Sequence, residues 1–376
     1  MRITDVHLIP LMTYEESISA GPGAALVEVE TDEGITGVGE ACIHSERGEA
    51  ALAVQKIVEI GFKPLVVGEN PFDIQRLWLK LYSYCEWYGR AGVATYALSG
   101  IDVALWDICG KALGVPVYTL LGGRFRDKIP VYASLLFDMD DPEGTAKVGK
   151  EYVKLGYRAV KYGWGKTRER AFGMNLDKDE EMIRTIREVL GQDIQIMVDV
   201  GRFVNLTPAQ AIKLAKRLEK YNIFWLEEPL PPEDVTGYKM LSDAVDIYIA
   251  AGESEYSKQG FLEYITRRAV DIIQPDVTKA GGLTEAKKIV DFCEAWNLMM
   301  VPHGFSSAVN VAANLQLVAS MPRAFILEYR RTPSPLISRL SKKPFTYEDG
   351  CLKIPTEPGL GIQIDYSVVE ECSVKQ

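Results

Sequence analysis

Residues 196–228 read IMVDVGRFVNLTPAQAIKLAKRLEKYNIFWLEE. Two short apolar runs, Ile196-Met197-Val198 and Phe224-Trp225-Leu226, each end in an acid, Asp199 and Glu227. Between them Thr207-Pro208 supplies an N-cap and a proline at the first helical position, and Ala211, Leu214, Ala215 and Leu218 recur at helical spacing before Asn222. Strand, helix and strand make one βα unit, with the acid standing where the strand gives way to its loop.

The same pattern extends in both directions from about residue 129, with candidate strands ending at Phe137, Lys161, Asp199, Glu227, Glu253, Asp276, His303 and Glu328. A second clear helix runs from Asp179 to Leu190, with Met182, Ile183, Ile186, Val189 and Leu190 as its apolar stripe and Gly191 as its stop. Eight strands with helical crossovers close most economically into a parallel barrel, although the pattern alone also fits a doubly wound open sheet. Residues 1–125 read differently: a strand over Leu26 to Glu30, a turn at Asp32-Glu33-Gly34 and a helix over Gly100 to Leu113 make an α+β domain. Residues 126–329 are the expected barrel. Residues 330–376, with prolines and the strand-like pieces Leu352-Lys353-Ile354 and Gly361 to Ile364, are expected to return to the first domain.

At 376 residues the chain can hold a barrel and an accessory domain. The formal net charge of -10 argues against a nucleic-acid or anionic-membrane surface and favours small-molecule chemistry. Six cysteines are scattered without a CxxC pair, which suits reduced thiols. No apolar window approaches a membrane span and Met1 to Asp5 lacks an apolar leader, so a cytoplasmic protein is expected.

In a parallel barrel the ends carrying Asp199, Glu227 and Glu253 converge on one mouth, where three carboxylates repel one another unless a hard cation neutralises them. Oxygen-only ligands favour magnesium. Each acid alone reads equally well as a helix N-cap after its strand, but three in succession favour the metal. The next two strands end in Gln274-Pro275-Asp276 and Val301-Pro302-His303. With only three histidines in the chain, His303 at the mouth is a candidate base, and the neighbouring Asp276 is placed to fix its tautomer and raise its pKa.

Ser99-Gly100-Ile101-Asp102-Val103-Ala104-Leu105-Trp106-Asp107, Leu120-Leu121-Gly122-Gly123, the Asp, Glu-Glu-Pro and Gly-Glu strand ends, and Pro275-Asp276 followed by Lys279-Ala280-Gly281-Gly282 together resemble the enolase superfamily, mandelate racemase subgroup. The resemblance covers nearly the whole chain. It implies an α/β fold, a modified (β/α)7β TIM barrel with an α+β capping domain, and Mg2+ held by Asp199, Glu227 and Glu253. It also implies abstraction of the proton α to a substrate carboxylate, with Asp276 and His303 as the dyad and Glu328 as the acid that hydrogen-bonds the enediolate oxygen. A symmetric homo-oligomer is expected on the same ground. Lys279 matches the sixth-strand lysine of the muconate-lactonizing type and is a weaker candidate base.

In such proteins the second barrel strand often ends Lys-x-Lys, whereas here it reads Lys161-Tyr162-Gly163, so the position of a second base has no side chain. Lys161 then reads as a cation for the substrate carboxylate. A histidine found in some relatives two residues after the third-strand aspartate is replaced by Gly201. One base suffices for β-elimination but not for racemisation, so the expected activity is dehydration of a sugar acid, an aldonate or aldarate, to a 2-keto-3-deoxy acid. A racemase, epimerase or cycloisomerase would need a second base such as Lys161 or Tyr162. A non-catalytic binding protein of this fold would have no reason to keep the whole set of acids. Tyr14 to Gly23 and Cys85 to Arg90 are candidate lids, and His44 is a candidate contact to a distal substrate group.

Overall fold

The computed structural model of the protein describes residues 1–13, 23–43, 49–201, 204–329 and 334–374. Strands β1 (Ile3–Met12), β2 (Gly23–Thr31) and β3 (Thr36–Cys42) form an antiparallel meander in the order β1-β2-β3. The turn into β3 is made where expected, with Gly34 in the left-handed region at φ +74°. The helix Val93–Leu113 crosses this sheet at close range. A Cβ on Gly39 would sit 2.0 Å from the Gly100 carbonyl oxygen, and one on Gly100 would sit 2.6 Å from a Val27 methyl, so only glycine permits the crossing. Its apolar residues, including Leu98, Ile101 and Leu105, join Val27 and Val29 in the core of this cap.

The barrel strands are β4 (Lys128–Leu136), β5 (Ala159–Gly163), β6 (Gln195–Asp199), β7 (Ile223–Glu227), β8 (Tyr248–Ala251), β9 (Ile272–Ile273), β10 (Met299–Met300) and β11 (Leu327–Glu328). Parallel ladders join β4 through β10 in chain order, and β11 pairs back onto β4. Among the described residues seven α-helices fill the crossovers between them, which is the (β/α)7β arrangement and not a doubly wound open sheet. The helix Pro208–Leu218 starts with the expected cap: the Thr207 side chain and Gln210 form a reciprocal capping box.

Alternation along the strands sorts the barrel interior into layers. Tyr132, Ala159, Met197, Trp225, Ala250, Ile272, Val301 and Ile326, one from each strand or its flank, pack into an apolar floor. Two residues further along every chain segment stand Ser134, Lys161, Asp199, Glu227, Gly252, Gln274, His303 and Glu328, so the polar layer lies directly above the floor.

The C-terminal segment touches both parts. Strands β12 (Tyr347–Glu348) and β13 (Cys351–Lys353) form a hairpin that adds antiparallel to β4. Beyond it the helix Tyr366–Cys372 lies by β1, with an antiparallel bridge between Leu11 and Ser373 and a bond from Val374 N–H to the Pro10 carbonyl. Gly361 to Ile364 is not a strand: only an isolated bridge joins Ile364 to Ser341. The cysteines are free thiols, and all but Cys351 are buried. Among the described residues no helix is long and apolar enough to cross a membrane.

Candidate active site at the barrel mouth

Asp199 and Glu227 are the last residues of β6 and β7, whereas Glu253 stands two residues past β8, carried inward by a turn at Gly252. Asp276 and His303 likewise lie beyond the ladders of β9 and β10, and an isolated parallel bridge joins them. One carboxylate oxygen from each of Asp199, Glu227 and Glu253 can be chosen so that all lie within 4.8 Å of one another, with all three side chains buried. That spacing and an all-oxygen donor set fit a hard divalent cation.

Lys161 Nζ stands 2.6 Å from Glu227 Oε1, 3.6 Å from Asp199 Oδ2 and 3.5 Å from Glu328 Oε1. Burial opposes its charge, but Glu227, Glu328, Tyr132 and Asp199 outweigh that and hold its pKa well above the ordinary lysine range. One ammonium does not balance these acids. Burial, together with the charge of Glu227, pushes Asp199 well up, and burial raises Glu227 despite Lys161. The excess of negative charge is a second feature that a bound cation would relieve.

Glu227 is also gripped from below: the Trp225 indole N–H donates to its Oε2 at 2.8 Å. The two residues are two apart on β7, so one inward face supplies both the acid and the group that orients it. The apolar run Phe224-Trp225-Leu226 gives Trp225 sufficient reason to lie in the core, so the sequence alone does not mark it as a site residue. The Tyr132 hydroxyl and Glu328 Oε1 are buried without a hydrogen bond, Oε1 keeping its ion pair with Lys161 at 3.5 Å.

His303 Nδ1 lies 2.7 Å from Asp276 Oδ2, and Nε2 faces Glu253 Oε2 at 3.3 Å. Burial works against an imidazolium, but Glu253, Asp276 and Glu328 outweigh it and lift the pKa to about 10. Burial likewise opposes the Asp276 anion, yet the bond and charge of His303, with Lys279 and Thr278, hold it at about 2. Glu328 sits between the two cations, with Oε1 toward Lys161 and Oε2 at 3.9 Å from His303 Nε2, and Oε2 accepts the Gly304 N–H at 3.0 Å.

Tyr162, on the alternate face of β5, points away from the mouth and donates to the Thr145 carbonyl at 3.4 Å, so it is no second base. Lys279 donates to the Glu253 backbone carbonyl at 2.7 Å and serves that turn. A Cβ on Gly163 would lie 3.2 Å from Asp199 Oδ2, which places the missing second base on the inward face. At Gly201 a Cβ would meet Trp164 Cδ1 at 2.3 Å: the indole fills the space a histidine there would enter. Cys85 to Gly89 belong to the helix Ile74–Gly89, with Cys85 buried, and do not form a loop. His44 and residues 14–22 of the other expected lid lie outside the described residues.

Residues 5–122 match the family described as mandelate racemase / muconate lactonizing enzyme, N-terminal domain, and residues 145–368 match enolase C-terminal domain-like. The chain is 34% identical over 356 residues to the D-xylonate dehydratase of Haloferax volcanii, covering 92% of this chain and 84% of that one. It is 32% identical over 350 residues to the arabinonate dehydratase of Saccharolobus solfataricus, covering 93% and 90%. The crystal structure of the 3,6-anhydro-D-galactonate cycloisomerase from Zobellia galactanivorans superposes with a TM-score of 0.90 at 32% identity, with 100% of each chain covered.

Proposed function

From the premise that this chain belongs to the mandelate racemase / muconate lactonizing enzyme family of the enolase superfamily, we propose that it dehydrates a sugar acid, an aldonate or aldarate, to the 2-keto-3-deoxy acid. The observation that carries the reading is the single braced base of the mouth: His303 is held by Asp276, while the inward residue that follows Lys161 on β5 is Gly163, which offers no side chain. Relatives named as sugar-acid dehydratases support the same substrate class.

Asp199, Glu227 and Glu253 are the residues that would hold Mg2+. When bound, the ion supplies Lewis-acid stabilisation of the negative charge that develops on the substrate carboxylate. Lys161 adds a second positive charge for that carboxylate, and its close carboxyl partners favour a cation over a base. A cation on Glu253 would offset the charge that most raises the His303 pKa; neutral Nε2 then takes the α-proton while Asp276 holds Nδ1–H and fixes the tautomer. Glu328 Oε1, beside Lys161 Nζ, shares a proton with the enediolate oxygen. The imidazolium then returns its proton to the 3-hydroxyl, the C3–O bond breaks, water leaves, and the enol tautomerises to the ketone. One residue serves both steps only if hydrogen and hydroxyl depart from the same face, so the elimination is syn.

Screening mono- and diacid sugars for keto-acid formation, with Mg2+ and after chelation, tests this. A 2-keto-3-deoxy product that requires Mg2+ is expected. An epimerised acid without keto acid, or full turnover by the chelated protein, contradicts it.

A further inference from the structure

The cap reaches the barrel through β3, where Val38-Gly39-Glu40-Ala41-Cys42 carries one carboxylate in an otherwise apolar run. Glu40 and Cys42 are two apart and share a face of the strand. At the open edge of β3 the Cys42 N–H donates to the Thr278 carbonyl at 3.0 Å. Glu40 Oε2 accepts from the Ser307 hydroxyl and, at 3.1 Å, from the Asn310 N–H. Glu40 is 1% exposed, and burial lifts its carboxyl to about 7.

Both barrel segments touched by this strand hold Asp276. Asp276 Oδ1 accepts from the Thr278 N–H at 2.8 Å, the Thr278 hydroxyl at 2.7 Å and Asn310 Nδ2 at 3.2 Å, which leaves Oδ2 for His303. Asn314 Nδ2 ties Asn310 Oδ1, at 3.0 Å, to the His303 carbonyl, at 3.1 Å. Asn310 stands in the first turn of the helix Ala308–Ala319, whose leading N–H groups have no partner within the helix. Ser307 caps the Val309 N–H, and the Asn310 N–H is left to Glu40.

We infer that Glu40 is a positioning residue for the Asp276–His303 dyad: from the cap it fixes the first turn of the helix Ala308–Ala319 and, through it, the Asn310 amide that sets Asp276 against His303. The inference rests on the base role proposed above for His303. Removing the Glu40 carboxylate strands a buried hydroxyl and a buried N–H, and the turn relaxes to satisfy them at the expense of the Asn310 contact.

The test compares Glu40→Ala, Asn310→Ala and the double variant with wild type for kcat, KM and Mg2+ affinity. It also follows the downfield Nδ1–H proton resonance of His303, one of only three histidines, identified by its loss in His303→Asn. Misplacement of a base should lower kcat about ten- to a hundredfold, with KM and Mg2+ affinity within about twofold of wild type, and should shift the resonance. The double variant should be no slower than the slower single, because both cut one chain of contacts. An unshifted resonance with unchanged kcat, a change in KM alone, or losses that multiply would overturn the inference. If Glu40→Ala does not fold, Ser307→Ala removes the hydroxyl contact and should give the same pattern at smaller amplitude; an unshifted resonance there also overturns it. The resonance needs no substrate, so a shift in a protein that turns over no sugar acid supports the inference while rejecting the proposed function.

Discussion

Gly163 and Gly201 both lack a side chain at the mouth, for opposite reasons. Gly201 sits at φ +67° with the Trp164 indole in the way, so its space is taken. Gly163 lies in a regular strand, and a methyl there needs Asp199 to give by only a few tenths of an ångström. Gly163→Ala should therefore fold at least as stably as wild type, since glycine in a strand costs roughly 0.5–1 kcal/mol relative to alanine. The displaced Asp199 should weaken Mg2+ binding several-fold by calorimetry, and unchanged affinity would place Gly163 away from the metal site. At this scale the sequence was legible wherever a charged residue ended an apolar run: Lys161, Asp199, Glu227, His303 and Glu328 all show the same two-residue step above an apolar floor residue. Glu40 and Asn310 stayed hidden because their partners lie 270 positions apart in the chain, beyond any local period.

Between elements, a second set of buried polar contacts pins the cap to the barrel at Gly281 to Thr284. Trp78 donates to the Gly281 carbonyl at 2.8 Å, Ser99 accepts the Gly281 N–H at 2.9 Å, and Asp102 accepts the Thr284 N–H at 2.9 Å and its hydroxyl at 2.5 Å. Burial raises Asp102 to about 7. A carboxyl whose folded pKa exceeds its ordinary value of about 4 holds its proton more tightly when folded, so its contribution is intact below that range and is lost as pH rises through about 7. The unfolding free energy of wild type relative to Asp102→Asn should accordingly fall between pH 5 and pH 8 in chemical denaturation. Parallel profiles would mean that Asp102 does not titrate in this window; the other raised acids are common to both proteins and cancel. Helices and strands were legible from capping and period, as at Thr207 and Gln210. The inward step at Glu253 was not, because it depends on a left-handed glycine after the strand. The motif Ser99 to Asp107 signalled the family without revealing that Ser99 and Asp102 are the cap's anchors on the Gly281 to Thr284 segment.

Across the whole molecule, a barrel brings together acids from separate strands and one ammonium cannot balance them, an imbalance that the proposed cation would relieve. The cap reaches the helix Ala308–Ala319 through Glu40, and by the inference above would brace the dyad from outside the mouth. The account turns on a single base. In D2O, with a sugar acid that wild type dehydrates, keto-acid formation and deuterium at the α-carbon of recovered substrate should both be followed for His303→Asn and Lys161→Met. His303→Asn should abolish both signals, while Lys161→Met should slow turnover and keep the exchange that His303 performs. Exchange at the wild-type rate in His303→Asn, with none in Lys161→Met, would make Lys161 the base and contradict the account.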